Sequence, residues 1–202
     1  MSLDSKVNQL RSELIIMARK AEAIYEKAVV CLHTPSEALV AEVREMDHDI
    51  DETELKLDRV CMGLLVLQEP YGVDFRFIFS ASRIVHELER VGDQSKTVAK
   101  WAPRMPSPPD GDMEQLVMRT REALQTAVRS LVERDTEQAD RVMAIEFQVD
   151  ELEDRIIESE PSLAEAFIAK ALERIGDLAT NIAESVIFSL DAEDVRHGRF
   201  RR

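Results

Sequence analysis

The stretch "LERVGD", Leu88 to Asp93, returns almost unchanged as "LERIGD", Leu172 to Asp177. Each copy lies in a run with an apolar or small residue every three or four positions. The first row is Ile84, Leu88, Val91, Ser95 and Val98, and the second is Ile168, Leu172, Ile175, Ala179 and Ile182. That spacing marks one buried face of an α-helix. A constant offset superimposes the two rows, and a second offset lays Val43, Met46, Ile50, Thr53 and Leu57 onto Val142, Ile145, Val149, Leu152 and Ile156. A phrase that repeats together with its neighbours is the mark of a duplicated structural unit.

Working outward, Leu10, Leu14, Met17, Ala21, Ile24, Ala28 and Cys31 predict a first long helix that stops at Thr34-Pro35-Ser36. A heptad-like seam of Leu39, Val43, Met46, Ile50, Thr53, Leu57, Val60 and Leu64 predicts a second, interrupted by Pro70 and Gly72. The third runs into "PRMPSPPDGD", Pro103 to Asp112, where prolines forbid its continuation. Beyond it the scheme restarts: a helix over Leu116 to Leu131, one carrying Val142 to Ile156, and one beginning near Pro161. No stretch alternates as a strand would. The fold class expected is all-α, two tandem three-helix-bundle repeats packed side by side, each running up-down-up. The boundaries read as 1–102 for the first repeat, 103–112 for the linker and 113–190 for the second repeat. Residues 191–202, "DAEDVRHGRFRR", lose the stripe and are expected to form a frayed tail.

A net charge of -14 argues against nucleic acid as a partner, because phosphate backbones need clustered Lys and Arg. Cys31 and Cys61 fall at apolar positions of helical patterns and read as reduced core residues. No apolar run approaches the roughly 18 residues of a membrane span, and the N-terminal segment has no signal-peptide pattern, so the cytoplasm is the expected compartment.

Inside the repeated phrase, Glu89 and Asp93 are one helical turn apart, as are Glu173 and Asp177. On the preceding helix Asp47 with Asp51 corresponds to Glu146 with Asp150, again at i and i+4. Like charges at this spacing destabilise a helix by a few tenths of a kcal/mol per pair. Acidic residues are common in this chain, and any single pair reads as a solvated face. Their recurrence in register, with Gly92 and Gly176 matched beside them, asks for more. If the second and third helices of a repeat are neighbours, their pairs present four oxygen-bearing groups to a hard or borderline cation such as Mn, Fe, Mg or Ca. Cysteine number and placement exclude a thiolate zinc site. Each glycine costs its helix about 1 kcal/mol against alanine, which points to a close approach of another backbone at that turn.

"LERVGD" and "LERIGD", with "TNIAE" after the second, on two three-helix repeats, resemble the PhoU family. "QEPYGVDFRFIFSASRIVHELERVGD" also resembles that family's approach to the first motif, through Pro70, Asp74, Phe75 and Arg76. The resemblance implies an all-helical protein, often a homodimer, that in some members binds metal clusters at the paired acidic motifs. It implies a cytoplasmic negative regulator of phosphate signalling that bridges the ATPase subunit of a phosphate transporter and a sensor histidine kinase, reaching the membrane only through these partners. Glu89, Asp93, Glu173 and Asp177 match the motif directly; Asp47, Asp51, Glu146 and Asp150 match its partner motif on the preceding helix. The cofactor expected is a divalent or trivalent ion, Fe, Mn, Zn or Mg. Thr97 and Lys100 stand where the second copy has Asn181 and Glu184, so the first site is expected to bind metal more weakly.

Two rivals remain open at this point. A di-iron carboxylate enzyme needs a Glu-x-x-His motif on two helices. Glu45 to His48 supplies one, but the second repeat has no histidine before His197. His48 is otherwise the one histidine placed to assist Asp47 and Asp51. A metal-free helical adaptor would use its acidic faces on basic partners. Gly-rich phosphate loops and serines with a paired base are absent from the sequence, so no catalysis is expected.

Overall fold

The computed structural model describes residues 2–195. Among them are six α-helices and no strand: α1 Leu3–His33, α2 Glu37–Gln68, α3 Gly72–Trp101, α4 Gly111–Glu133, α5 Thr136–Glu158 and α6 Leu163–Asp191, with a 3₁₀ turn at Ala102–Arg104. Local chemistry sets the boundaries. Ser36 Oγ accepts from the Leu39 amide at the start of α2, and Asp135 caps α5 through the Glu137 and Gln138 amides. Ser162 and Glu165 bond each other's backbone amides at the start of α6, satisfying two donors that the first turn leaves unpaired.

Each repeat is a bundle of three mutually packed helices, α1, α2 and α3 in the first and α4, α5 and α6 in the second. The repeats meet mainly along α3 and α6, which form the central pair, and α1 also touches α4. One continuous core runs through both repeats. Buried Tyr25 of α1 donates to the Val117 carbonyl of α4 at 2.7 Å, and Trp101 stacks on Phe167 with ring centroids 4.5 Å apart. No helix among the described residues is long and apolar enough to cross a membrane.

The structure departs from the expected pattern in two places. In α2 the buried residues are Val43, Asp47, Ile50, Leu57, Cys61 and Leu64, while Val60 is exposed and Met46 and Thr53 are half-buried. A strict seven-residue seam drifts about 20° per heptad on a straight helix, so over this long helix the inward face slides by one position. That slide draws Asp47 inward. In the stretch read as a tail, Val195 is buried against the core; residues 196–202, His197 among them, lie outside the described residues. Cys31 and Cys61 are free, buried thiols, and burial pushes the Cys61 thiol up to about 12.

The repeated glycines have a specific cause. A Cβ on Gly176 would come within 3.0 Å of Val149 Cγ1, and one on Gly92 within 3.3 Å of Asp47 Oδ1. What approaches these turns is therefore a side chain of the neighbouring helix. Gly63 in α2 has nothing within 4 Å of the same position. Gly63→Ala is expected to raise stability by about 0.5–1 kcal/mol. In Gly176→Ala, overpacking of about 1–3 kcal/mol cancels or exceeds that gain. Urea midpoints compared with wild type check both, and equal stabilisation by the two would rule out tight α5–α6 packing at Gly176.

Candidate metal centre

In the second repeat, α5 presents Glu146, Asp150 and Glu153, and α6 presents Lys170, Glu173 and Asp177. Their placement follows from the apolar rows: with Val149, Leu152 and Ile175 buried between the helices, the acids flank the seam on its solvent edge. Asp150, Glu173 and Asp177 each bring a carboxylate oxygen within 4.8 Å of the others, and no other His, Cys, Asp or Glu group among the described residues gathers three so closely. Repulsion is visible in their acidities. Burial, then Asp150 and Asp177, pushes the Glu146 carboxyl up to about 7. Burial, then Glu173 and Asp150, pushes Asp177 up to about 6. Asp150 is raised as well, by burial and then Glu173.

Lys170 relieves this repulsion only from the edge. Its Nζ donates to Glu173 Oε1 at 3.0 Å and lies 3.8 Å from Glu153, while Glu173 Oε2 is buried with no hydrogen-bond partner. An orphaned carboxylate oxygen beside two raised carboxyls is the donor set that a hard cation takes. These residues fit an oxygen-ligated metal ion.

In the first repeat no three of the matching carboxylates gather so closely, and a lysine lies among them. Lys96 of α3 donates to Asp47 Oδ2 of α2 and, at 2.7 Å, to Asp93 Oδ1. Asp47 is only 4% exposed, and its Oδ1 has no hydrogen-bond partner. Burial raises the Asp47 carboxyl and Lys96 pulls it back. Although burial works against its charge, Lys96 is held well above the usual lysine range by the hydrogen bonds it donates to Asp47 and Asp93. Glu89 is raised by burial and then by Asp93 and Asp51. His86 Nδ1 sits 2.9 Å from Glu54 Oε1, occupying the place that Lys170 holds in the second repeat.

Three sequence-based expectations change. His48 is turned outward, with a side chain 75% exposed and Nε2 3.7 Å from Glu52 Oε1, so it does not join Asp47 and Asp51. Asn181 donates to Glu87 Oε2 at 3.3 Å, across the repeat boundary, and Thr97 Oγ1 donates to the Asp93 carbonyl of its own helix. The two sites differ also at Lys96, which the reading of Thr97 and Lys100 passed over, while Glu184 adds its charge beside Glu146. The signal was present: the offset that carries Leu88 onto Leu172 carries Lys96 onto Thr180.

The PhoU domain model matches residues 14–102 and 113–186. A "phosphate-specific transport system accessory protein PhoU homolog" of Pseudomonas aeruginosa is 30% identical over 96% of this chain and 87% of its own length. The Zymomonas mobilis protein of the same description is 30% identical over 93% of this chain and 86% of its own. The crystal structure of PhoU from Pseudomonas aeruginosa superposes with a TM-score of 0.87, at 27% identity, over 95% of this chain and 100% of that one. The PhoU crystal structure from Streptococcus pneumoniae, at 19% identity and TM-score 0.84 over 96% and 99%, shares the fold. With both repeats matched in the same order as the helices, the chain belongs to the PhoU domain family.

Proposed function

We propose that this chain is an accessory regulator of phosphate-specific transport, a helical adaptor whose second repeat binds a metal ion. The cluster of Asp150, Glu173 and Asp177 oxygens is the observation that carries the metal part. These three would hold Fe, Mn, Zn or Mg, with Glu146 beside them. The ion would cancel the repulsion among the carboxylates and clamp α5 to α6. The names of the relatives support the transport role. The partners proposed are the transporter's ATPase subunit and a sensor histidine kinase, in the cytoplasm, with the protein acting as a homodimer and as no enzyme.

Docking is supported by the exposed apolar side chains along α2 and the turn after it: Leu55, Met62, Val66, Leu67 and Tyr71, the last 88% exposed. Exposed apolar side chains repeated along one helix mark a candidate contact face. Metal analysis of protein purified without chelator is expected to find about one ion per chain, lost in Glu173→Gln with Asp177→Asn. Metal-free wild-type protein would refute the metal part, and failure to retain either the ATPase subunit or the kinase in a pull-down would refute the adaptor.

A further inference from the structure

We infer that Lys96 decides which repeat can take a metal ion: its ammonium group is the built-in cation of the first carboxylate cluster, and that cluster binds no metal. The part concerning the second repeat rests on the function proposed above; the part concerning Lys96 does not.

Lys96 reaches across two helices. It bonds Asp47 on α2 and Asp93 on α3 at once, the same helix-to-helix bridge that an oxygen-ligated ion would make. Asp47 and Asp93 correspond to Glu146 and Asp177, so the ammonium ties one carboxylate of each helix in the quartet. Lys170 touches only Glu173 of the second quartet and spends its remaining contact on Glu153, which is outside it. The two repeats therefore each have a lysine nearby, but only the first has one bridging its carboxylates. At the position of Lys96 the second repeat has Thr180, which carries no charge.

Displacing Lys96 would be costly. An incoming ion must break two charge-assisted hydrogen bonds. It must also reorient Asp47, whose Oδ1 packs over Gly92, 3.3 Å from where a Cβ there would stand. With a side chain only 6% exposed, Asp47 has little room to turn toward a second ligand geometry. The duplicated phrase thus describes one cluster closed by the chain's own cation and one left for an ion from solution.

Exchange of the two residues tests the assignment. Titration with Mn²⁺, followed by equilibrium dialysis, is expected to show about one site in wild type, a second site in Lys96→Thr, and at least about 100-fold weaker binding in Thr180→Lys. Wild-type stoichiometry in Lys96→Thr, or loss of metal from wild type on Asp47→Asn with Asp93→Asn, would overturn it. A chelator arm does not depend on the second site. In excess EDTA, Lys96→Thr is expected to lower Tm by about 5 °C or more, because it strands the buried Asp47 charge, and Mn²⁺ is expected to restore it. A Tm within about 1 °C of wild type in EDTA would remove Lys96 as the built-in cation. If wild type takes up no metal, the proposed function fails, and the EDTA comparison alone decides the role of Lys96.

Discussion

Leu172→Ala is expected to destabilise the protein by about 3 kcal/mol, read from urea or thermal unfolding. Leu172 is fully buried at the middle of α6, the helix central to the second repeat and to the inter-repeat contact. Its backbone carbonyl also accepts from Thr120 Oγ1 of α4 at 3.3 Å, so the surrounding helices are tethered and can collapse only partly into the space left by the isobutyl group. Incomplete collapse is what lifts such truncations above the bare transfer cost of the lost methylenes. A loss of about 3 kcal/mol corresponds to a Tm lower by roughly 6–12 °C for a chain of this size. Because the core is continuous across both repeats, the variant is expected to keep a single transition. A cost under about 1 kcal/mol, or a separate early transition of the second repeat, would contradict that core.

Glu146→Gln is expected to act in the opposite direction, stabilising metal-free protein by about 2 kcal/mol near pH 7 and by almost nothing near pH 4. In the folded protein Glu146 is raised to about 7 by burial and by Asp150 and Asp177, whereas in the unfolded chain it titrates in the ordinary range near 4.3. Between those values the folded state holds the proton that the unfolded state has released. Raising the pH therefore favours unfolding: the stability is fully present below about pH 4 and is lost as pH rises through about 7. The full shift would be worth about 3 kcal/mol, and partial solvent access to Glu146 reduces it to about 2. Glu13, lowered chiefly by its hydrogen bond from Lys56, titrates with the opposite sign, so the difference between variant and wild type, rather than the wild-type slope, isolates Glu146. Urea unfolding in EDTA at several pH values measures it. A difference independent of pH would exclude the acidic cluster as its origin. Saturating Mn²⁺ is expected to narrow the difference, since a bound cation offsets the repulsion that raises Glu146.

The helical frame was legible because its signal is periodic. Leu88 and Leu172, Ile50 and Val149, and their neighbours recur at a spacing that only a helix uses, and Thr34-Pro35-Ser36 and the proline-rich stretch after Trp101 stop the chain where the structure stops it. Side-chain reach was not legible in the same way. Lys96 lies one position from Ser95 of the buried row and reads as a solvated lysine until α2 is placed against α3. Asn181 is paired by sequence with the second motif, yet its amide crosses to Glu87 because α3 and α6 are neighbours. Asp47 looked exposed until the slide of the α2 face carried it inward. Each of these depends on distance between helices, which one helix's periodicity does not contain.

The stacked pair of Trp101 and Phe167 has a use beyond packing. Trp101 is the chain's single tryptophan, and it joins the end of α3 to the start of α6, with the Arg104 guanidinium 4.6 Å from its ring centre. Any opening of one repeat against the other takes this indole off its aromatic partner and into water. Its fluorescence is thus a native optical gauge of the seam between the repeats, requiring no added label.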